Sequence, residues 1–291
     1  MQRSERFIRL TKWLVDRPNV PLSLSELSSR LNTAKSSLSE DMARIRAVLE
    51  AEGEGTVTSL HGMAGGVKYQ AGVSRARREA FCADMVRRLS DPSRILPGGF
   101  LYMSDLLGDP DVLDTVGQLF ASRFENVGVN VVVTVETKGI TLAAATARYL
   151  HVPLAIVRRE QRVTEGAALG IHYISGSERR IQTMSLSKRA MPASARAVIV
   201  DDFMRAGATA KAVENLLSEF SAEVAGTAVF TATAEPARKL VSDYTALFEL
   251  GAIAEGQPVD VRVDRAWFEP DVHPASAAVE PPNAVDHSKN V

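Results

Sequence analysis

Apolar and polar positions change their period several times along this chain. Phe7, Leu10, Leu14 and Val15 recur at helical spacing and Pro18 closes the run, which predicts a first helix. Pro21 and Ser23 precede a short second helix carrying Leu24, Leu27 and Leu31. Asn32 and Thr33 break that helix and offer a cap for the next. The spacing of Leu38, Met42, Ile45, Val48 and Leu49 predicts this third helix over 34–51. Beyond Gly53 and Gly55 the period shortens, and residues 56–60 read as a strand. Gly62, Gly65 and Gly66 turn the chain, and Val67-Lys68-Tyr69 returns. The first segment is thus a helix, a helix-turn-helix and a glycine-tipped hairpin.

A basic helix over about 72–95 sets Arg75, Arg77, Arg78, Arg87 and Arg88 against Glu79 and Asp84. It is either an extension of a basic surface or a solvated helix face. Asp91-Pro92 and Pro97-Gly98-Gly99 then punctuate the chain. From about residue 100, strands alternate with helices. Residues 112–123 and 139–150 read as helices, and 129–135, 152–157, 197–200, 224–231 and 246–250 as strands. A further helix runs through Leu216 and Leu217. Such alternation predicts an α/β domain with a mainly parallel sheet, whose ligands sit beyond the carboxyl ends of the strands. Residues 172–174 and 180–182 interrupt the pattern as a hairpin standing off the sheet. After Trp267, four prolines and few apolar residues predict a disordered tail. The expected boundaries are 1–74, 75–268 and 269–291.

Composition narrows the classes. Lys plus Arg is 34 and Asp plus Glu is 35, which excludes a uniformly basic nucleic-acid binder but not a local basic face. A single cysteine, Cys82, excludes internal disulfides and zinc sites built on several cysteines. No stretch approaches the ~20 apolar residues of a membrane span. The charged N-terminus has no apolar signal core. A soluble cytoplasmic protein is expected.

The sharpest chemical signal is the run from Val198-Ile199-Val200 into Asp201-Asp202 and on through Gly207 and Thr209. A strand followed by a glycine loop and a helix N-terminus is an anion site, because exposed backbone N–H groups converge there. Two carboxylates beside it would repel a phosphate unless they accept hydrogen bonds from vicinal hydroxyls. The combination asks for a ribose 5-phosphate. The segment resembles the phosphoribosyl pyrophosphate (PRPP) motif of type I phosphoribosyltransferases. By that match Asp201 and Asp202 hold the ribose hydroxyls, while Phe203, Met204, Arg205, Ala206, Gly207, Ala208 and Thr209 wrap the 5-phosphate. Ala206 departs from the Thr or Ser that the enzymes usually carry. A second turn, Thr137-Lys138-Gly139, resembles the loop that receives pyrophosphate, with charge from Lys138 and close backbone approach at Gly139. Arg158 ends the next strand and either faces the same anion or is solvated. The hairpin near 165–186 corresponds to the flexible lid of that fold, or else serves subunit contact. PRPP travels with Mg²⁺, which needs no dedicated protein cage. No metal site of the protein's own and no catalytic cofactor are expected.

The first 70 residues match a winged helix-turn-helix, a module that binds DNA or pairs protomers. Its recognition helix would open at Lys35-Ser36-Ser37, residues suited to phosphates and base edges, with Arg44 on a later turn and His61 and Lys68 at the wing. Residues 1–74 carry ten basic against eight acidic residues, a slight positive bias. Together the two halves resemble the purine operon repressor family of Gram-positive bacteria. The likeness is carried by residues 33–41, 137–140, 163–166, 180–186 and 201–207. It implies a homodimer without transferase activity that binds operator DNA. PRPP would act as inducer, and guanosine tetra- or pentaphosphate would compete in the same pocket. Tyr102 is either a wall for the bound base or ordinary core. The alternative is an active purine or xanthine phosphoribosyltransferase with an appended regulatory domain.

Overall fold

A computed structural model describes residues 1–60, 66–160, 163–174 and 181–268. The predicted tail from 269 onward and the wing and hairpin tips lie outside the described residues.

Helix α1 (Arg3–Asp16) buries Leu10 and Leu14, while Val15, expected inward, faces solvent. Helix α2 (Leu24–Leu31) is capped by Ser23, whose hydroxyl accepts the Glu26 N–H, and ends at Asn32 in the left-handed region at φ 46°. Helix α3 (Lys35–Glu52) buries Leu38, Met42 and Ile45 but leaves the predicted core residue Val48 exposed. Its most buried polar group is Asp41, which accepts from Arg3 Nε at 3.0 Å and Arg6 Nε at 2.5 Å. That pair fixes α3 to α1. Strands β1 (Gly55–Leu60) and β2 (Gly66–Ala71) pair antiparallel, with Gly55 opposite Ala71.

Helix α4 (Arg75–Leu89) stops short of the predicted 95, because Asp91 and Pro92 open a separate 3₁₀ turn. Two-residue strands β3 (Ile95–Leu96) and β4 (Phe100–Leu101) form a small ladder. There follow α5 (Pro110–Phe124), β5 (Val131–Val135), α6 (Gly139–Leu150) and β6 (Leu154–Val157). The hairpin is β7 (Ala168–Ile174) with β8 (Ile181–Ser187). The chain continues as β9 (Arg196–Met204), α7 (Ala208–Ser218), β10 (Glu223–Thr233), β11 (Tyr244–Leu250) and β12 (Val261–Val263).

The main sheet runs β12-β11-β10-β9-β5-β6, parallel except for the edge strand β12. Alternate residues of its strands feed two cores. Val132, Val198, Phe230 and Phe248 pack beneath α5 and α6. Val133 and Ile199 pack beneath α7 and the β7–β8 hairpin, which contributes Met184 and Leu186. The first core continues into the N-terminal segment through Tyr69, Leu14 and Leu38, so both halves share one apolar cluster.

Candidate functional site

Strand β9 does not end before the two acids. It continues through Met204, because β10 is long enough to pair with it as far as Ala232. Asp201 stands opposite Val229, and Met204 is buried in the core with Ala210, so Met204 offers only backbone to a ligand. The turn is therefore short: Arg205, exposed, then Ala206 and Gly207. Gly207 adopts φ 81°, where side chains are strained, and opens α7. No side chain caps α7, so its first N–H groups, at Ala208 and Thr209, point beyond the sheet.

Thr137 and Lys138 are exposed at the start of α6, behind a cis peptide between Glu136 and Thr137. Gly139 explains why these two turns form one site. A Cβ there would lie 2.9 Å from Asp201 Oδ1 and 2.5 Å from Thr134 Oγ1. Only glycine lets the α6 turn press this closely on the acidic pair.

Burial, then the neighbouring Asp202 carboxylate, hold Asp201 well above the ordinary carboxylate range, against an opposing pull from Arg159. Asp201 Oδ1 accepts the Asp202 N–H at 2.9 Å. Such a pair gains most from donors brought by a ligand, as a diol would bring.

Arg158 lies beside this turn with its guanidinium engaged by two glutamates. It donates to Glu136 Oε2 at 3.0 Å and to Glu165 Oε1 at 3.2 Å. Its backbone pairs with Ser185, which roots the hairpin against the site. Tyr102 is 42% exposed and is not core. Its segment is anchored at the acids: Thr231 Oγ1 lies 3.8 Å from Met103 Sδ and donates to the Asp202 carbonyl at 3.0 Å.

One wall was not foreseen. The segment after β10 folds back on the glycine turn, where Leu240 N–H donates to the Ala206 carbonyl at 2.9 Å and Val241 packs on Gly207. Lys239 donates to the Thr233 carbonyl at 2.6 Å, and partial burial lowers its pKa. Only the breaker Pro236 hinted at this turn; a contact between residues so far apart in sequence leaves no local pattern.

At the other end of the molecule, Lys35, Ser36 and Arg44 are exposed on α3 and Ser37 is half-buried. Thr33 does not cap α3: its hydroxyl turns back to the Leu31 carbonyl, and no side chain occupies the cap. Arg46 donates to the Val57 carbonyl and to Ser59, locking α3 to the wing. Lys68 turns its ammonium to Asn19 Oδ1 at 3.3 Å. His61 lies outside the described residues.

Residues 2–71 match the family of the bacterial purine repressor N-terminal domain, and residues 103–266 match the phosphoribosyl transferase domain. The purine biosynthesis transcriptional repressor PurR of Bacillus subtilis is 46% identical over 252 residues, covering 87% of this chain and 88% of that one. The purine biosynthesis transcriptional activator PurR of Lactococcus lactis is 39% identical over 264 residues, covering 90% and 97%. A xanthine phosphoribosyltransferase of Lactobacillus delbrueckii is 31% identical over 146 residues, 49% of this chain and 77% of its own. The adenine phosphoribosyltransferase of Rhodothermus marinus superimposes with a TM-score of 0.50 at 21% identity, over 59% of this chain and 99% of that one, a likeness of fold. A repressor-type N-terminal domain joined to a phosphoribosyltransferase domain, with 46% identity across most of the chain, makes this protein a member of the PurR family of purine biosynthesis transcriptional regulators.

Proposed function

We propose that the protein represses purine biosynthesis genes by binding operator DNA through α3, and that PRPP bound between the two strand-end turns releases it. The observation that carries this is the packing of Gly139 on Asp201, which joins an uncapped helix N-terminus, a lysine turn and an acidic pair in one place. Asp201 and Asp202 accept the ribose hydroxyls. Arg205, Ala206, Gly207, Ala208 and Thr209 surround the 5-phosphate, while Phe203, ahead of them on β9, packs against the main core. Thr137, Lys138 and Gly139 receive the pyrophosphate, with Arg158 recruited from its glutamates. Tyr102 stacks on the base of a competing guanosine tetra- or pentaphosphate. Magnesium arrives with PRPP, held by ligand oxygens and water.

Lys35, Ser36, Ser37 and Arg44 face the DNA, and two such helices on a homodimer in the cytoplasm read two half-sites. Higher identity to the repressor than to the activator, 46% against 39%, supports repression. Ala206 in place of a hydroxyl residue favours sensing over transferase chemistry.

Calorimetry of PRPP with Mg²⁺ tests the site. Wild type should bind, and the Asp201→Ala, Asp202→Ala double variant should not, while retaining its affinity for DNA. Equal PRPP binding by the double variant would remove the site from this position. Incubation with PRPP and xanthine, hypoxanthine, guanine or adenine should yield no nucleotide; product would assign an enzyme instead.

A further inference from the structure

Helix α6 connects the two places that the proposed function has to couple. Its first residue, Gly139, is wedged against Asp201. Ten residues later, about 15 Å along the axis, the Tyr149 carbonyl accepts a hydrogen bond from Asn19 Nδ2 at 2.8 Å. Asn19 belongs to the N-terminal domain, in the turn between α1 and α2. The helix has little freedom to move alone. A Cβ on Gly117 of α5 would sit 2.7 Å from Ala145 Cβ, so α5 and α6 meet almost backbone to backbone.

Asp114 of α5 gathers the groups at this far end. It accepts from the Tyr149 hydroxyl and from Gln118 Nε2, the latter at 2.8 Å. Arg148 lies 3.7 Å away and Arg77 3.5 Å. Arg77 also reaches Glu54, at the junction of α3 and β1, at 3.2 Å. The cluster therefore touches the N-terminal domain at Asn19 and at Glu54. Burial and the Asp114 bond push the Tyr149 phenol up to about 12, so it remains a donor. Arg77 and Asp114 are both more than a third exposed, so their pairing is weak and can be remade in another geometry. That suits a seam that shifts better than a permanent weld.

We infer that Tyr149 and Asp114 are positioning residues that set the DNA-binding domain according to what the 137–139 turn holds. The inference rests on the PRPP-responsive reading above. An anion at that turn acts on Gly139, and with no slack against Asp201 or α5 the displacement reaches Tyr149 through the rod of α6. The Asn19 and Asp114 bonds then convert it into a change of domain setting.

Two separate variants test this. Tyr149→Phe removes only the hydroxyl. Asn19→Gly removes the side-chain bonds while tolerating the φ of 59° at that position. Operator affinity would be read by fluorescence anisotropy with and without PRPP and Mg²⁺, PRPP affinity by calorimetry, and folding by thermal melts. Both variants should bind PRPP within about twofold of wild type and still bind DNA without ligand. The PRPP-induced change in DNA affinity should shrink by about 2- to 30-fold, the range of single-residue coupling effects. A responsive wild type with two equally responsive variants would overturn the relay alone. A wild type that binds DNA but ignores PRPP would overturn both the relay and the reading it rests on.

Discussion

At the proposed PRPP site, the raised pKa of Asp201 would make ligand binding proton-linked. A diol donates to the carboxylate, so it favours the ionised form. PRPP affinity should therefore fall as pH drops through the raised native pKa of Asp201. The same shift acts on stability with the opposite sense. Between the ordinary value of 3.8 and its native value, Asp201 binds more protons folded than unfolded, so stability declines as pH rises through that window. Asp201→Asn should raise the thermal midpoint at neutral pH while weakening PRPP by about 10- to 150-fold, the worth of a charged hydrogen bond. A lower midpoint would contradict the assignment of burial as the cause. At the proposed DNA face, Lys35→Ala should weaken binding and reduce the salt slope by about one unit, since each phosphate contact releases counterion; an unchanged slope would place Lys35 away from the backbone. These candidate residues stand out in the sequence because each sits in a short local pattern, Asp201-Asp202 before a glycine turn and Lys35 at a helix start. The engagement of Arg158 by Glu136 and Glu165, and of Lys68 by Asn19, was not, because both depend on partners supplied by the fold.

Elements carry the next set of consequences. Gly139→Ala would normally favour a helix start, yet here its methyl collides with Thr134 and Asp201. Such overpacking costs about 1–3 kcal/mol, and PRPP affinity should fall about 5- to 150-fold by calorimetry. Retained PRPP affinity would mean the turn is not part of the site. Asp41→Ala strands Arg6, whose side chain is only 12% exposed, and should cost about 3 kcal/mol in chemical denaturation; a loss under about 1 kcal/mol would show that the ion pair does not hold α3 to α1. Strong periodicity made α1, α2, α3 and α6 readable, and the bounds of α6 fall where the alanine-rich run predicts them. Strand β9 was read too short because its apolar pattern stops at Asp201 while its pairing with β10 does not. Edge strand β12 has three residues, too few to register as a pattern.

At the scale of the molecule, two domains recognisable from separate motifs share one apolar cluster and a polar seam. Neither feature was visible in the sequence. Asn19 and Tyr149 are 130 positions apart, and no periodicity links them. The shared core makes the domain setting a property of the whole chain, which is what a ligand must alter to change DNA affinity. The most direct test is fluorescence anisotropy on duplex DNA from upstream of a purine synthesis operon, titrated at fixed salt with and without PRPP and Mg²⁺. Tight binding that PRPP weakens, by a factor within the roughly 5- to 150-fold range of ordinary allosteric coupling, is the predicted result. Binding that PRPP leaves unchanged, or no binding under either condition, would contradict the account.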